Sequence, residues 1–321
     1  MNGNELLEKI EAIDVDLIQE AADIKGKKKQ VNWVKWGITA ACIGLLCLGV
    51  IQMSKLHQRS GSNGPIDLGD KVRQESSKGV NVPAIQLPEN TNGAAMEMIA
   101  LIVYDGRIYT QSTFYEGNQA IQVSSLVGDY LGYAKGNIDE WSSQDEYTVE
   151  FASTVPGKFY KVEGYDIKFR ICMKEQYENE DGSITEYVSF YDNLNGISLE
   201  KGRDLFVDRL KLTNGWDSVK YQEHHNWDNG WPNYEYHELA DVSETDLDTF
   251  LDELYSSDFV DLGNSDIYDA EQGHLYFYMK DGTQVPLRLF DGGYVGYQPL
   301  GWVFVKMPGE AFDKIYHAIQ P

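Results

Sequence analysis

Cysteine is scarce in this chain: three residues in 321. Cys42 and Cys47 lie within one apolar run, and Cys172 stands alone in the C-terminal part. A single thiol excludes an intrachain disulfide there, so that part must hold together by core packing. About 220 residues are enough for such a core. Basic residues are short as well. Lys and Arg number 27 against 51 Asp and Glu, a formal net charge of −24. A surface this acidic repels phosphate backbones and excludes nucleic acid as a partner for the bulk of the chain. Catalytic signatures are missing too. The chain has no Gly-x-Ser-x-Gly, no His-Glu-x-x-His and no P-loop, so no enzymatic activity, catalytic residue or cofactor is expected. Asp-Gly occurs at 105, 181, 281 and 291, but no Asp-x-Asp-x-Asp-Gly calcium loop exists, and these pairs read as turns.

Long uncharged runs are also rare, and the longest carries the most information. Between Lys35 and Lys55 lie 19 residues without a charge, including Ile43, Leu45, Leu46, Leu48, Val50 and Ile51. As a helix they span roughly 28 Å, close to a bilayer's hydrocarbon thickness of about 30 Å. Trp33 and Trp36 sit where an interfacial aromatic belt belongs. Lys25, Lys27, Lys28, Lys29 and Lys35 precede the run, whereas only Lys55 and Arg59 follow closely. The positive-inside rule then keeps the N-terminus in the cytoplasm and puts the C-terminal part outside the cell. A cleaved signal peptide fits less well, because some 30 residues with their own pattern precede the run. The charge is split accordingly. Residues 1–59 hold eight of the 27 basic and seven of the 51 acidic residues, which leaves 19 basic and 44 acidic in 60–321. The expected organisation is a cytoplasmic amphipathic segment at 1–34, a transmembrane helix at 35–55, a flexible linker at 56–97, a β-rich outer module at 98–195 and an α+β outer module at 196–321.

In the first segment Leu6, Ile10, Ile13, Leu17 and Ala21 recur at helical spacing, and Leu7 and Ile18 widen the stripe. Asn4 suits the N-cap, with Glu5 and Glu8 at the positive helix end. A helix this short is marginal alone in water and needs a partner for its apolar face. Its polar face is mostly acidic, which disfavours an anionic leaflet and favours a protein groove. Leu6, Leu7, Ile10, Ile13, Leu17 and Ile18 are therefore the candidate partner-binding residues. The layout Glu5-Leu-Leu-Glu-Lys-Ile-Glu-Ala-Ile, then Lys27-Lys-Lys29, then Trp33-Val-Lys-Trp36 opening an Ala-Ala-Cys-rich run resembles a group of Gram-positive (Firmicutes) single-pass membrane proteins. These are similar to anti-sigma factors of extracytoplasmic-function sigma factors. Gly136-Asn-Ile-Asp-Glu-Trp141 and Gly164-Tyr-Asp-Ile-Lys-Phe-Arg-Ile-Cys172 are similar to their outer domains. The resemblance is best over residues 1–55. It implies a contact between residues 5–21 and a sigma factor. A His-x3-Cys-x2-Cys pattern is missing, so the zinc-containing anti-sigma fold is not implied.

The outer part reads as α+β with antiparallel hairpins. Asp105-Gly106 separates candidate strands at 98–104 and 107–112, and Asp281-Gly282 separates 274–280 from 283–290. Further strands are expected at 147–153, 159–163, 166–173, 186–191 and 302–306, with 205–212 as either strand or helix. Ser243 caps a helix at 244–256 whose Leu247, Phe250, Leu251 and Leu254 face inward, and a terminal helix is expected at 308–319. The densest polar cluster runs from Tyr221 to His237. His224, His225 and His237 with Glu223 and Asp228 are metal-ligand types, but their spacing matches no standard site and adjacent strand histidines face opposite ways. No metal site is expected. Trp227, Trp231, Tyr234 and Tyr236 form a candidate ligand surface of the kind that stacks on sugar rings. Two functions emerge: a membrane regulatory protein with a cytoplasmic partner and an outer sensing domain, or a membrane-anchored surface protein that binds a cell-wall or extracellular glycan or peptide.

Overall fold

The computed structural model describes residues 79–86, 99–139, 142–179, 181–230, 233–263, 267 and 270–319. The segment expected to be cytoplasmic, the apolar run expected to span a membrane and most of the expected linker lie outside these residues. Among the described residues no helix is long and apolar enough to cross a membrane.

Two antiparallel sheets dominate. The first contains β2 (Leu101–Tyr104), β3 (Arg107–Glu116), β4 (Val127–Lys135), β5 (Pro156–Val162), β6 (Arg170–Glu178) and β7 (Ile184–Asp192), in the order β2-β3-β7-β6-β5-β4. The second contains β9 (Trp216–Glu223), β10 (His237–Glu238), β11 (Asp258–Asp261), β12 (Glu271–Met279), β13 (Gln284–Phe290), β14 (Tyr294–Gly296) and β15 (Val303–Lys306). Its order is β10-β9-β12-β13-β14-β15-β11. A two-stranded ladder joins β1 (Val80–Val82), from the stretch expected to be linker, to β8 (Ile197–Leu199). The Val-Asn-Val alternation explains the strand, since Val80 and Val82 pack against the core while Asn81 faces out.

Local chemistry sets most of these elements. At the β2–β3 turn Asp105 (φ 49°) and Gly106 (φ 67°) both adopt left-handed backbone, which is what a two-residue hairpin loop needs. The helix α1 (Asn118–Val123) follows β3, α2 (Gly202–Phe206) follows β8 and α3 (His224–Asn229) follows β9. The longer α4 (Glu244–Ser256) opens with Ser243 and Asp246 in a reciprocal capping box and buries Leu247, Phe250, Leu251 and Leu254. The terminal α5 (Gly309–Ala318) buries Phe312, Ile315 and Tyr316, and Lys314 Nζ reaches Asp246 Oδ1 at 2.7 Å. Pro286 sits within the inner strand β13, where β14 pairs only from Arg288 onward, so its missing N–H costs no ladder bond on that side.

Three expected elements differ. The strand expected at 166–173 starts only at Arg170, because the N–H groups of Phe169 and Arg170 bond back to the Asp166 carbonyl in a turn. Residues 147–153 are not a strand. Ser143 and Glu146 form a capping box that winds Gln144–Thr148 into a 3₁₀ turn, Phe151 takes a left-handed φ of 65°, and only Ser153 bridges to Ile102. Residues 205–212 complete α2 and then turn rather than extend.

The main apolar cluster draws on both sheets and on α4 and α5, from Tyr115, Phe190 and Cys172 to Phe250, Leu275, Leu287 and Ile315. Within the first sheet a charged pair is sealed off. Arg170 donates to both carboxylate oxygens of Asp192, at 2.7 Å each, with side-chain exposures of 2% and 0%. The guanidinium lies 4.7–5.1 Å from the ring centres of Tyr165, Phe169 and Phe190. Tyr297, which follows β14, donates to Asp192 Oδ2 at 3.4 Å. Tyr165 donates to Asp281 Oδ2 at 3.2 Å, and the Gln284 N–H donates to the Tyr115 hydroxyl at 3.0 Å. Polar as well as apolar contacts thus run between the residues of the two sheets.

Candidate functional site

The second sheet buries a cluster of ionisable side chains where β9, α3, β12 and β13 meet. Glu271 opens β12, and His274 follows three positions later. In a regular strand residues three apart face opposite sides. A register shift between Glu271 and Gly273 adds Gln272 to the strand and brings both side chains to one face. Gly273 allows it, because a Cβ there would lie 2.6 Å from the carbonyl oxygen of Gln222. Arg288, paired with His274 across the β12–β13 ladder, donates from Nε to Glu271 Oε1 at 2.6 Å and from Nη2 to Oε2. His224 enters as the first residue of α3.

The distances around Glu271 are short. His274 Nε2 lies 2.9 Å from Oε1 and His224 Nδ1 lies 3.3 Å from Oε2. Neither contact has hydrogen-bond geometry, and both nitrogens are without a hydrogen-bond partner. Glu271 and His274 are sealed from solvent, whereas His224 keeps 36% exposure. Trp227 covers the group. Its ring stacks on His274 at 4.6 Å and on His224 at 6.0 Å, and the Arg288 guanidinium lies 5.5 Å from its centre. Behind His274, Tyr276 stacks at 6.1 Å and donates to Gln222 Oε1 at 2.8 Å. Gln222 in turn donates to Asn226 Oδ1 at 2.7 Å, fixing α3 against β9.

The electrostatics follow from this packing. Burial alone would raise the Glu271 carboxyl, but Arg288, His224 and His274 outweigh it and hold the group well below the usual carboxylate range. Burial lowers His274 despite the neighbouring carboxylate, so its ring is neutral. The half-exposed His224 is raised by Glu271, with burial opposing. Burial pushes the Cys172 thiol up to about 12, which makes it an inert core residue rather than a nucleophile.

Of the histidines and acids in the 221–237 stretch, only His224 joins this cluster. His225 and Asp228 are exposed on α3, which is a short helix and not a strand, and His237 packs on Tyr221 at 5.1 Å. Trp227 belongs to the cluster, and Tyr236 meets Tyr276 edge-on at 5.3 Å. Tyr234 and Tyr236 are 42% and 43% exposed. Trp231 lies outside the described residues, as do Leu6, Leu7, Ile10, Ile13, Leu17 and Ile18. Glu271, His274 and Arg288 were not singled out in the sequence, although a clue exists. They are charged or titratable residues inside otherwise apolar strand runs, beside a strand glycine.

An antiparallel two-sheet domain with a histidine–glutamate–arginine cluster in one sheet is therefore the class that fold and site define. In comparison with known proteins, no family model, no curated protein and no solved structure matches the chain.

Proposed function

We propose that the chain is a single-pass membrane regulatory protein, similar to anti-sigma factors, with residues 1–34 holding a cytoplasmic partner and the two-sheet domain serving as an extracytoplasmic sensor. One observation carries this reading: the 19-residue uncharged run at 36–54, with its lysines concentrated on the N-terminal side. The amphipathic stripe from Leu6 to Ile18 supports a partner groove, and a sigma factor is the partner that the resemblance of residues 1–55 implies. Protease added to intact cells should digest the two-sheet domain while sparing an N-terminal tag. A tagged full chain should retain a cytoplasmic protein, and Leu6→Asp with Ile10→Asp should release it. Recovery of the chain in the soluble fraction after lysis would overturn the topology. Absence of any partner lost on the double substitution would overturn the regulatory role.

A second reading is a membrane-anchored surface protein that binds a glycan or peptide and has no cytoplasmic partner. The exposed Tyr234 and Tyr236 beside the Tyr276–His274–Trp227 stack favour it. It predicts retention on immobilised cell-wall glycan that Tyr236→Ala weakens.

A further inference from the structure

We propose that His224 Nδ1, His274 Nε2 and the Glu271 carboxylate form a binding site for one divalent transition-metal ion, zinc being the best suited. The three ligand atoms lie within 4.8 Å of one another. Two donors each about 2.1 Å from a single ion stand roughly 3.0 Å apart at a right angle and roughly 3.4 Å apart at the tetrahedral angle. The observed separations, 2.9 Å from His274 Nε2 to Oε1 and 3.3 Å from His224 Nδ1 to Oε2, match those edges for an ion that takes both oxygens of the Glu271 carboxylate. Imidazole nitrogen with one carboxylate is a donor set for zinc, copper or nickel rather than calcium or magnesium.

An ion pair with two packed histidines is the competing account, and the hydrogen-bond geometry argues against it. Arg288 already satisfies both oxygens of Glu271. If His274 Nε2 carries a proton, that buried N–H is not aligned for a hydrogen bond to the Glu271 oxygen 2.9 Å away. If it carries a lone pair, the pair faces a carboxylate oxygen at 2.9 Å, which repels it. Either tautomer leaves a buried polar atom unsatisfied, a rare condition in a folded interior. A cation between the three ligands satisfies both imidazoles at once. Arg288 is compatible with it, because a carboxylate offers about four lone-pair positions and the guanidinium fork takes only two. Arg288 then orients the carboxylate as an outer partner. Its charge weakens the ion's hold, so the metal exchanges with the medium rather than being locked in. The 36% exposure of His224 gives the ion a way in, and three protein ligands leave a coordination position open to water or an outside donor.

This inference names a ligand for the sensing domain but rests on the cluster's geometry alone. It survives a failure of the topology test, and the topology survives a failure here. The test uses the full chain, purified in detergent and stripped with chelator, with Co²⁺ and then Zn²⁺ alone as probes. Co²⁺ should give a visible ligand-field band that saturates at one ion per chain and disappears as Zn²⁺ displaces it. Zn²⁺ should raise the melting temperature. His224→Gln and His274→Gln should each weaken binding about tenfold or more, whereas His225→Gln and His237→Gln should leave it unchanged. His224 is half-exposed, so His224→Gln decides the matter if His274→Gln does not fold, with circular dichroism as the check on fold. Wild-type protein with neither a cobalt band nor a zinc-induced melting shift would overturn the proposal. So would His224→Gln that folds and binds as wild type does.

Discussion

Replacing Asp192 by Ala should destabilise the two-sheet domain more than any surface substitution. The change removes both 2.7 Å hydrogen bonds that hold the Arg170 guanidinium and leaves its charge buried among Tyr165, Phe169 and Phe190. The aromatic rings attract a cation, but their faces do not replace a carboxylate that accepted two bonds. Breaking a buried pair by deleting one partner costs about 3–5 kcal/mol. For a domain of this size each kcal/mol corresponds to about 2–4 °C, so the melting temperature should fall by about 6–20 °C. The assay is urea unfolding followed by tryptophan fluorescence and by far-ultraviolet circular dichroism. Four of the seven tryptophans lie in 196–321, among them Trp216, which packs edge-on against Phe277, and Trp227, which covers the histidine cluster. Because Tyr297 also reaches Asp192 and the main apolar cluster draws on both sheets, the two signals should shift together. Arg170→Met in the Asp192→Ala background should recover part of the loss, since an apolar pair carries no stranded charge. A loss below about 1 kcal/mol would refute the buried-charge argument. Two separate transitions, with only the first lowered, would refute the shared core and favour independent modules at 98–195 and 196–321.

Three further outcomes are expected. Gly273→Ala should destabilise the domain by about 1–3 kcal/mol in thermal unfolding, because the new Cβ meets the Gln222 carbonyl at 2.6 Å and the β12 register must give. The hydrogen bond from Lys314, with those from Ser243, holds the Asp246 carboxyl at about 2, below its ordinary 3.8. A depressed carboxylate contributes stability that is full above the unfolded value and lost as pH falls from about 4 through about 2. The melting difference between wild type and Asp246→Asn should therefore be largest near neutrality and shrink below pH 4. Finally, the buried Cys172 thiol should resist iodoacetamide in the native chain and react after denaturation, as peptide mass mapping would reveal; rapid native labelling would refute its burial.

What the sequence discloses depends on how local the cause is. The Asp105-Gly106 and Asp281-Gly282 hairpins are legible because the turn chemistry lies within the turn itself, and α4 is legible because its cap and apolar stripe occupy adjacent turns. Residues 147–153 mislead because an upstream capping box, Ser143 with Glu146, overrides a stretch of β-formers. The strands β4 and β9 are hard to read because few of their residues are fully buried; in β9 only Val219 and Gln222 are. The histidine–glutamate–arginine cluster is the least legible part. His224 and Glu271 are 47 positions apart, and only sheet register plus a one-residue bulge brings them together. No spacing rule in a linear chain encodes that meeting, whereas the visible His224-His225 pair draws attention to a residue the cluster leaves outside.

The short β1–β8 ladder has a mechanical consequence. Tension arriving along the chain from its N-terminal side meets the folded domain first at Val80–Val82, where three residue pairs and the Ser198–Asn81 side-chain bond share the load. Peeling that ladder would also pull Val80 and Val82 off the main apolar cluster and load the bond from the Ile85 N–H to Asn195 Oδ1. The margin of the two-sheet domain is thus closed by a clasp of its own, separate from the pairing of the two large sheets.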